Sequence, residues 1–150
     1  MYRVLLDTTY ILPAFGIYVD VAPKNEIKVI LEKCIEKGAT LNISEISLFE
    51  AYVKTIAVAK KKKLPDLFKK AANGVLTVIN DTTLNKIGYC ELEILETASN
   101  ILKNHDDPFD AIIFATAIVR DMLLATEDSD AKKFVPNDKI LSWRDLKNIF

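Results

Sequence analysis

Residues 107–126 read DPFDAIIFATAIVRDMLLAT, and they predict a buried helix followed at once by a buried strand. Asp107 and Pro108 are typical of a helix start, because an aspartate caps free N–H groups and proline suits the first turn. The run at 111–119 is apolar nearly all round, which indicates a helix that is buried on several sides. Residues 123–126 form a short apolar run of the kind found inside a sheet.

Similar short β-type runs alternate with helical patterns along the rest of the chain. Strands are predicted at residues 2–6, 41–43, 75–79, 123–126 and 139–142. Helices are predicted at residues 25–37, from about 45 into the lysine run at 60–63, at about 84–104 with a break near Gly88, and from 107 onward. This alternation favours an α/β fold around a mostly parallel sheet.

The composition limits the class of protein. The chain has 150 residues, 50% of them hydrophobic and 27% charged, which suits one domain over residues 1–150. The longest charge-free run, at 8–19, has fewer than the ~20 residues that a membrane span requires. Two cysteines and one histidine build neither a disulfide framework nor a four-ligand zinc site. We therefore expect a cytoplasmic protein without a membrane partner.

The charges are nearly balanced in number but are separated along the chain. Residues 54–70 contain seven lysines and one acid, whereas residues 91–130 contain ten acids and two basic residues. A net charge of −1 therefore does not exclude nucleic acid as a partner, because an average hides how charge is distributed.

Acidic residues follow two of the predicted strands. Asp7 comes after the first strand, and Asp128 and Asp130 come after the fourth. Ligands of open α/β sheets bind beyond the carboxyl ends of the strands, so these acids are candidates for chemistry. The structural alternatives are an ordinary turn for Asp7 and a solvated loop for the other two.

Further acids lie on predicted helices. Glu50 falls within an apolar stripe, where a carboxylate needs a partner because burying a lone charge is costly. Its structural alternatives are a capping box with Ser47 or an ion pair with Lys54. Asp107 suits a helix cap, and Asp110 would then complement the helix dipole.

Convergence of several of these carboxylates would call for a cation. Each pair at ~4 Å repels by about 4 kcal/mol at an effective dielectric of 20. An all-oxygen ligand set favours Mg²⁺ or Mn²⁺.

Other acidic motifs fit poorly, since Lys133 stands where a calcium loop starting at Asp128 needs glycine. The four glycines also lack the spacing of a Walker phosphate loop.

The same residues resemble a known family. The motifs LLDTT at 5–9, DPFDAIIFATA at 107–117 and LATED at 124–128, together with Glu50, are similar to those of PIN-domain nucleases. Within that family, the chain is most similar to the single-domain VapC-type toxins of prokaryotic toxin–antitoxin pairs. The similarity covers residues 2–142, although segment 11–24 is longer and more apolar than expected for a minimal toxin.

This resemblance implies a three-layer α/β/α sandwich with a central, mostly parallel five-stranded sheet. It implies a metal-dependent endoribonuclease with one or two Mg²⁺ or Mn²⁺ ions, RNA as substrate, a homodimer and a cognate antitoxin. The acids that it assigns to catalysis and metal binding are Asp7, Glu50, Asp110 and Asp128. Supporting roles fall to Thr9, Asp107, Thr126 and Asp130, and Asp128 and Asp130 both remain open as the fourth acid.

The lysine-rich segment is the candidate RNA-binding surface. It comprises Lys54, Lys60, Lys61, Lys62 and Lys63, and its structural alternative is a solvated helix end. Two other functions remain open at this point: a PIN-domain nuclease of RNA processing or surveillance, and a PIN-like domain that binds RNA or protein without cleaving.

Overall fold

The computed structural model describes residues 1–150 and has a sheet of five strands, all parallel. The strands are β1 (Arg3–Leu6), β2 (Thr40–Ser44), β3 (Leu84–Ile87), β4 (Leu123–Ala125) and β5 (Ile140–Leu141). Their order in the sheet is β3-β2-β1-β4-β5, so β1 lies at the centre. The predicted α/β class with a five-stranded parallel sheet is confirmed.

Six α-helices and four short 3-10 turns connect the strands. The helices are α1 (Lys24–Glu36), α2 (Glu45–Lys62), α3 (Asp66–Asn80), α4 (Leu92–Ile101), α5 (Pro108–Val119) and α6 (Trp143–Ile149). The 3-10 turns are Thr8–Tyr10, Leu12–Phe15, Ser129–Lys133 and Asn137–Lys139. None of the helices combines the length and the apolar character needed to span a membrane.

Side chains of the central strand alternate between two cores, which gives the fold its three layers. Val4 and Leu6 pack in the core that includes buried residues of α1 and α6. Leu5 packs in the core that includes buried residues of α4 and α5. Successive strand residues point to opposite faces, so one apolar strand serves both layers.

The order in which the chain adds strands to the sheet reverses next to β1. Leu6 pairs with Ile43 of β2 on one side and with Ala125 of β4 on the other. The connection from β1 leads to β2, whereas the chain crosses to β4 only after β3. The carboxyl ends of β1 and β4 therefore form a topological switch point, where α/β proteins place their ligands.

The predicted strand at residues 75–79 is wrong, because these residues form the end of α3. Their sequence, VLTVI, is rich in residues that favour strands. The helix instead buries Leu67, Ala71, Gly74 and Val78, a helical spacing partly hidden by small residues. A Cβ on Gly74 would lie 2.5 Å from the ring of Phe15, so this glycine allows α3 to pack closely against the turn Leu12–Phe15.

The helical pattern predicted at about 84–104, with a break near Gly88, is also wrong for the residues before that break. Residues 84–87 form β3, an edge strand whose Leu84 pairs with Leu41 of β2, and only α4 is helical beyond them. Pairing with β2 decides this, and the local sequence does not reveal it. Helix α6 was not predicted either, although Ser142 and Asp145 form a capping box at its start.

Candidate active site

Asp7 lies at the switch point, directly after β1. Its backbone N–H donates to the carbonyl of Ala125 at 3.0 Å, which holds it beside β4. Its Oδ1 accepts from the backbone N–H of Thr8 at 2.6 Å, and its Oδ2 accepts from the hydroxyl of Thr126 at 2.7 Å. The carboxylate of Asp7 therefore has a defined orientation at the carboxyl edge of the sheet.

Thr126 connects Asp7 with the acid that follows β4. The hydroxyl oxygen of Thr126 accepts from the backbone N–H of Asp128 at 3.1 Å while its hydrogen is directed to Asp7. The Oδ1 of Asp128 accepts from the backbone N–H of Asp130 at 2.8 Å and caps the turn Ser129–Lys133. The strands β1 and β4 thus present Asp7 and Asp128 side by side.

Glu50 approaches the same edge from the second turn of α2, and only 2% of its surface is exposed. Its Oε2 accepts from the hydroxyl of Thr8, and its Oε1 pairs with Lys54 one turn further along the helix. Partial burial alone would lower the pKa of Lys54, but its bond to Glu50 and the nearby acids raise it. Of the two structural alternatives for Glu50, the ion pair with Lys54 is present and the capping box with Ser47 is absent, since the hydroxyl of Ser47 has no partner.

Asp110 reaches the site from the first turn of α5. Asp107 caps this helix as predicted, because its Oδ1 accepts from the N–H groups of Phe109 and Asp110 at 2.8 and 3.4 Å. The imidazole Nε2 of His105 lies 3.4 Å from Oδ2 of Asp110. The cap at Asp107 orients the helix start so that Asp110 points toward the other acids.

The four acids Asp7, Glu50, Asp110 and Asp128 are here called the acid cluster, because the charges of the other three act on Asp110 and the charge of Glu50 acts on Asp7. Burial raises the pKa of Asp7, and the charge of Glu50 raises it further, although the hydrogen bond from Thr126 opposes the rise. Burial also raises the pKa of Asp110 to about 6, with contributions from neighbouring carboxylates, namely those of Asp107, Asp7, Glu50 and Asp128. The edge of the sheet therefore carries negative charge that nearby cations only partly balance.

Two of the predicted supporting residues lie less centrally. Asp130 forms an exposed ion pair with Lys133, with Nζ to Oδ1 at 2.6 Å, and that lysine lowers the pKa of Asp130. Thr9 is half-buried in the turn Thr8–Tyr10, but Thr8 is the residue whose hydroxyl contacts Glu50. Of the two candidates for the fourth acid, Asp128 is the one whose charge acts on Asp110.

Two residues that contact the acids were not predicted from the sequence. Thr8 is fully buried, and its neighbour in the sequence, Thr9, was named in its place. The single histidine of the chain, His105, has no functional signal in the sequence, yet its ring packs against Phe114 and Phe134 beside Asp110. In the sequence, only its position five residues before Asp110 indicates that His105 could lie near this acid.

The donor chemistry of the acid cluster suits a hard divalent cation. The available ligands are carboxylate and hydroxyl oxygens. Burial raises the pKa of Asp7 and Asp110, and repulsion from neighbouring carboxylates adds to the rise, a repulsion that a cation would relieve. As they stand, no three carboxylate, imidazole or thiol groups lie close enough together to hold a metal ion. The charge of Glu50 is balanced by Lys54, whose ammonium group pairs with it.

The predicted RNA-binding lysines divide into two groups. Lys54 belongs to the site through its pair with Glu50. The other four, Lys60, Lys61, Lys62 and Lys63, are exposed at the far end of α2 and are here called the lysine end. At 1.5 Å per residue, the lysine end begins ~15 Å along the helix from Glu50.

Solved structures of the same fold come from several bacteria. VapBC2 from Rickettsia felis, bound to a DNA fragment from the promoter, matches with a TM-score of 0.65 and 18% identity over 94% of this chain and 98% of that one. A toxin–antitoxin complex from Klebsiella pneumoniae matches with a TM-score of 0.58 and 24% identity over 92% and 95%. VapC20 from Mycobacterium tuberculosis, described as a toxin that cleaves the sarcin–ricin loop, matches with a TM-score of 0.60 and 16% identity over 87% and 93%.

No curated protein matches the chain. A family model for the PIN domain, however, matches residues 4–135, a span that contains the whole acid cluster and, apart from Arg3, the strands from β1 to β4 with the helices between them. Because this match covers most of the chain, the protein belongs to the PIN domain family.

Proposed function

We propose that the protein is an endoribonuclease that hydrolyses RNA with the help of Mg²⁺ or Mn²⁺, and that it is the toxin of a toxin–antitoxin pair. One observation carries the proposal: the fold brings Asp7, Glu50, Asp110 and Asp128 to the switch point, where burial, and then the charges of neighbouring carboxylates, raise the pKa of Asp7 and Asp110. Like charges are brought together at a cost to stability, which is typical of a functional site.

Asp7, Asp110 and Asp128 are the residues that would hold the ion, with Glu50 as a further ligand or as the group that orients the attacking water. When bound, the ion polarises the phosphate and lowers the pKa of a coordinated water. Thr126 fixes the carboxylate of Asp7, and Asp107 fixes the helix start that carries Asp110. Thr8 and Lys54 hold the carboxylate of Glu50 in place, so that it meets a water in one orientation.

An RNA chain must approach this negative edge against electrostatic repulsion. Lys54 lowers the repulsion inside the site, since it pairs with Glu50 and is influenced by Asp7 and Asp110. The lysine end is exposed and free to meet phosphates, and its distance from Glu50 corresponds to a few nucleotides of single-stranded RNA. We infer that it attracts the substrate without taking part in cleavage, which predicts an affinity for RNA that falls with salt.

The same proposal includes an antitoxin partner and a homodimer. Structures of the same fold include a toxin–antitoxin complex from Klebsiella pneumoniae, which supports a partner of this kind here. A small reading frame next to the gene, whose product co-purifies with the protein, is the expected outcome. Light scattering of the isolated chain tests the dimer, which is contradicted by a mass close to 16.9 kDa.

The decisive experiment is cleavage of mixed RNA with Mg²⁺ by the wild type and by Asp7→Asn. We expect cleavage by the wild type, loss on addition of EDTA, and loss in the variant, because the asparagine side chain keeps the shape of the aspartate and lacks its charge. Asp20→Asn, at an exposed loop position, is the matched control and should cleave like the wild type. Equal cleavage by wild type and Asp7→Asn would show that the activity comes from a contaminant or from another site.

A binding-only PIN domain is the second candidate. It is favoured by the spacing of the acids, since no three of them are placed to hold a metal ion as they stand. This alternative predicts that RNA binds with equal affinity with and without Mg²⁺ and is recovered intact. Isothermal titration with Mg²⁺ alone separates the two, because only the nuclease proposal predicts binding that Asp7→Asn abolishes.

A further inference from the structure

A polar cavity of about 470 Å³ lies next to the acid cluster, beyond the carboxyl ends of β4 and β5. Asp128 of the acid cluster lines this cavity, and so does Thr126, whose hydroxyl donates to Asp7, so the cavity adjoins the acids. Ile140 is the only hydrophobic residue among the nine that line it. The cavity along α1, of about 380 Å³, is instead lined mostly by hydrophobic side chains. The polar cavity therefore has the volume of a small-molecule site and offers mainly hydrogen-bonding side chains to a ligand.

The acceptors in this cavity are held in place by bonds within the protein. Oε1 of Glu127 accepts from the backbone N–H of Trp143 and from the hydroxyl of Tyr10, which leaves Oε2 available. The carboxylate of Asp145 is fixed by the capping box with Ser142. A ligand therefore meets acceptors that are already oriented, and binding need not order them.

The charge of the cavity decides which part of a nucleotide it suits. Three of its residues are acids, Glu127, Asp128 and Asp145, and a single cation, Lys132, faces them. A phosphate would be repelled, whereas an uncharged group with N–H donors would be attracted. Single-stranded RNA is read in this way, by hydrogen bonds to the edges of splayed bases.

We propose that this cavity binds the base next to the scissile phosphate and selects guanine, an inference that rests on the proposed function. The Watson–Crick edge of guanine presents two adjacent donors, N1–H and N2–H₂, to acceptors such as Oε2 of Glu127 and the side-chain carbonyl of Asn137. Adenine and cytosine present one amino group each, and uracil presents one ring N–H. The shared wall at Asp128 places such a base beside a phosphate at the acid cluster.

The first test is binding of mononucleotides to the ¹⁵N-labelled protein, followed by the amide shifts of Asn137 and Trp143. We expect GMP to bind about tenfold more tightly than UMP, the effect of a good hydrogen-bonded base contact. Glu127→Gln keeps an oxygen for the N–H of Trp143 but replaces the other acceptor by a donor, and it should remove the preference. Asp138→Asn, an exposed acid next to the cavity that does not line it, should retain the preference.

The second test is cleavage of RNA of random sequence by the same proteins. In Glu127→Gln we expect the ratio of cuts next to guanine over cuts next to uracil to fall about tenfold, while Mg²⁺-dependent cleavage persists. Unchanged ratios, equal affinities for GMP and UMP, or ribose 5-phosphate that binds as tightly as GMP would each overturn the base site. A wild type that binds GMP selectively but cleaves no RNA would overturn the proposed function and leave the base site supported.

Discussion

Glu50 of the acid cluster and the lysine end lie near the two ends of α2 and carry opposite charge, yet their surroundings differ. At the start of α2, Glu50 is buried and bonded to Thr8 and Lys54. At the end of the same helix, the lysine end is exposed to solvent. The ~15 Å between them exceeds the ~8–10 Å over which salt screens charge. Charge in the first region acts strongly on its neighbours, whereas charge in the second acts weakly and depends on salt.

The largest effect should come from substituting an acid of the cluster, and it should be absent when an acid just outside the cluster is substituted instead. Asp128→Asn should lower Mg²⁺-dependent cleavage by about 100- to 1,000-fold, several kcal/mol of barrier. Asp130→Asn should stay close to the wild type, because Asp130 pairs with Lys133 at the surface. Rates on a defined RNA measure both, and the reverse order of effects would identify Asp130 as the fourth acid.

Stability in the absence of divalent cations should report the cost of burying Asp110 among the other carboxylates. The pKa of Asp110 is about 6 in the folded state and near 4 in the unfolded chain. Between these two pH values, the folded state keeps a proton that the unfolded chain has already released. Stability therefore falls as pH rises from about 4 to about 6 and stays lower above that range. Asp110→Asn removes this loss, so we expect a gain of about 1–3 kcal/mol at pH 7 in urea unfolding with EDTA.

The matched control for this prediction is Asp121→Asn, at an exposed acid paired with Lys139. It should leave the decline between about pH 4 and about pH 6 in place. A variant at Asp110 that is less stable than the wild type at neutral pH would mean that burial and neighbouring charges do not destabilise this carboxylate in the folded state.

The pair between Glu50 and Lys54 should have a smaller effect that a cation can replace. Lys54→Ala leaves the carboxylate of Glu50 without its counter-charge, and because Lys54 is half-exposed we expect a loss of about 1 kcal/mol. Mg²⁺ should restore more stability to this variant than to the wild type. Lys28→Ala, which breaks an exposed pair with Glu32, is the control and should show neither effect. Thermal unfolding with and without Mg²⁺ decides the outcome.

The lysine end should give the smallest effect of the four. Changing Lys60, Lys61, Lys62 and Lys63 to alanine should weaken RNA binding a few-fold at low salt. The salt slope should fall by up to ~0.7 for each of these lysines that binds a phosphate in the wild type. The cleavage rate at saturating RNA should not change. Filter binding at several salt concentrations measures the slope, and an unchanged slope would show that the lysine end does not bind RNA.

Sequence reasoning succeeded where a local signal and the final structure agree. Asp107 and Pro108 predicted the cap and start of α5, and the apolar run after them predicted a buried helix. It failed at residues 75–79, where strand-forming residues are helical because α3 packs on Phe15 through Gly74. It failed again at β3, because an edge strand is defined by its partner β2.

For the site, the sequence by itself determined which residue types were available and which of them follow a strand. Asp7 and the acids after β4 follow directly from that order, since parallel strands end at one edge of a sheet. Only the tertiary structure decided that Thr8 reaches Glu50, that His105 lies beside Asp110, and that Asp128 faces the cluster while Asp130 turns to Lys133. Such contacts join residues on separate elements, so they depend on packing and not on local sequence.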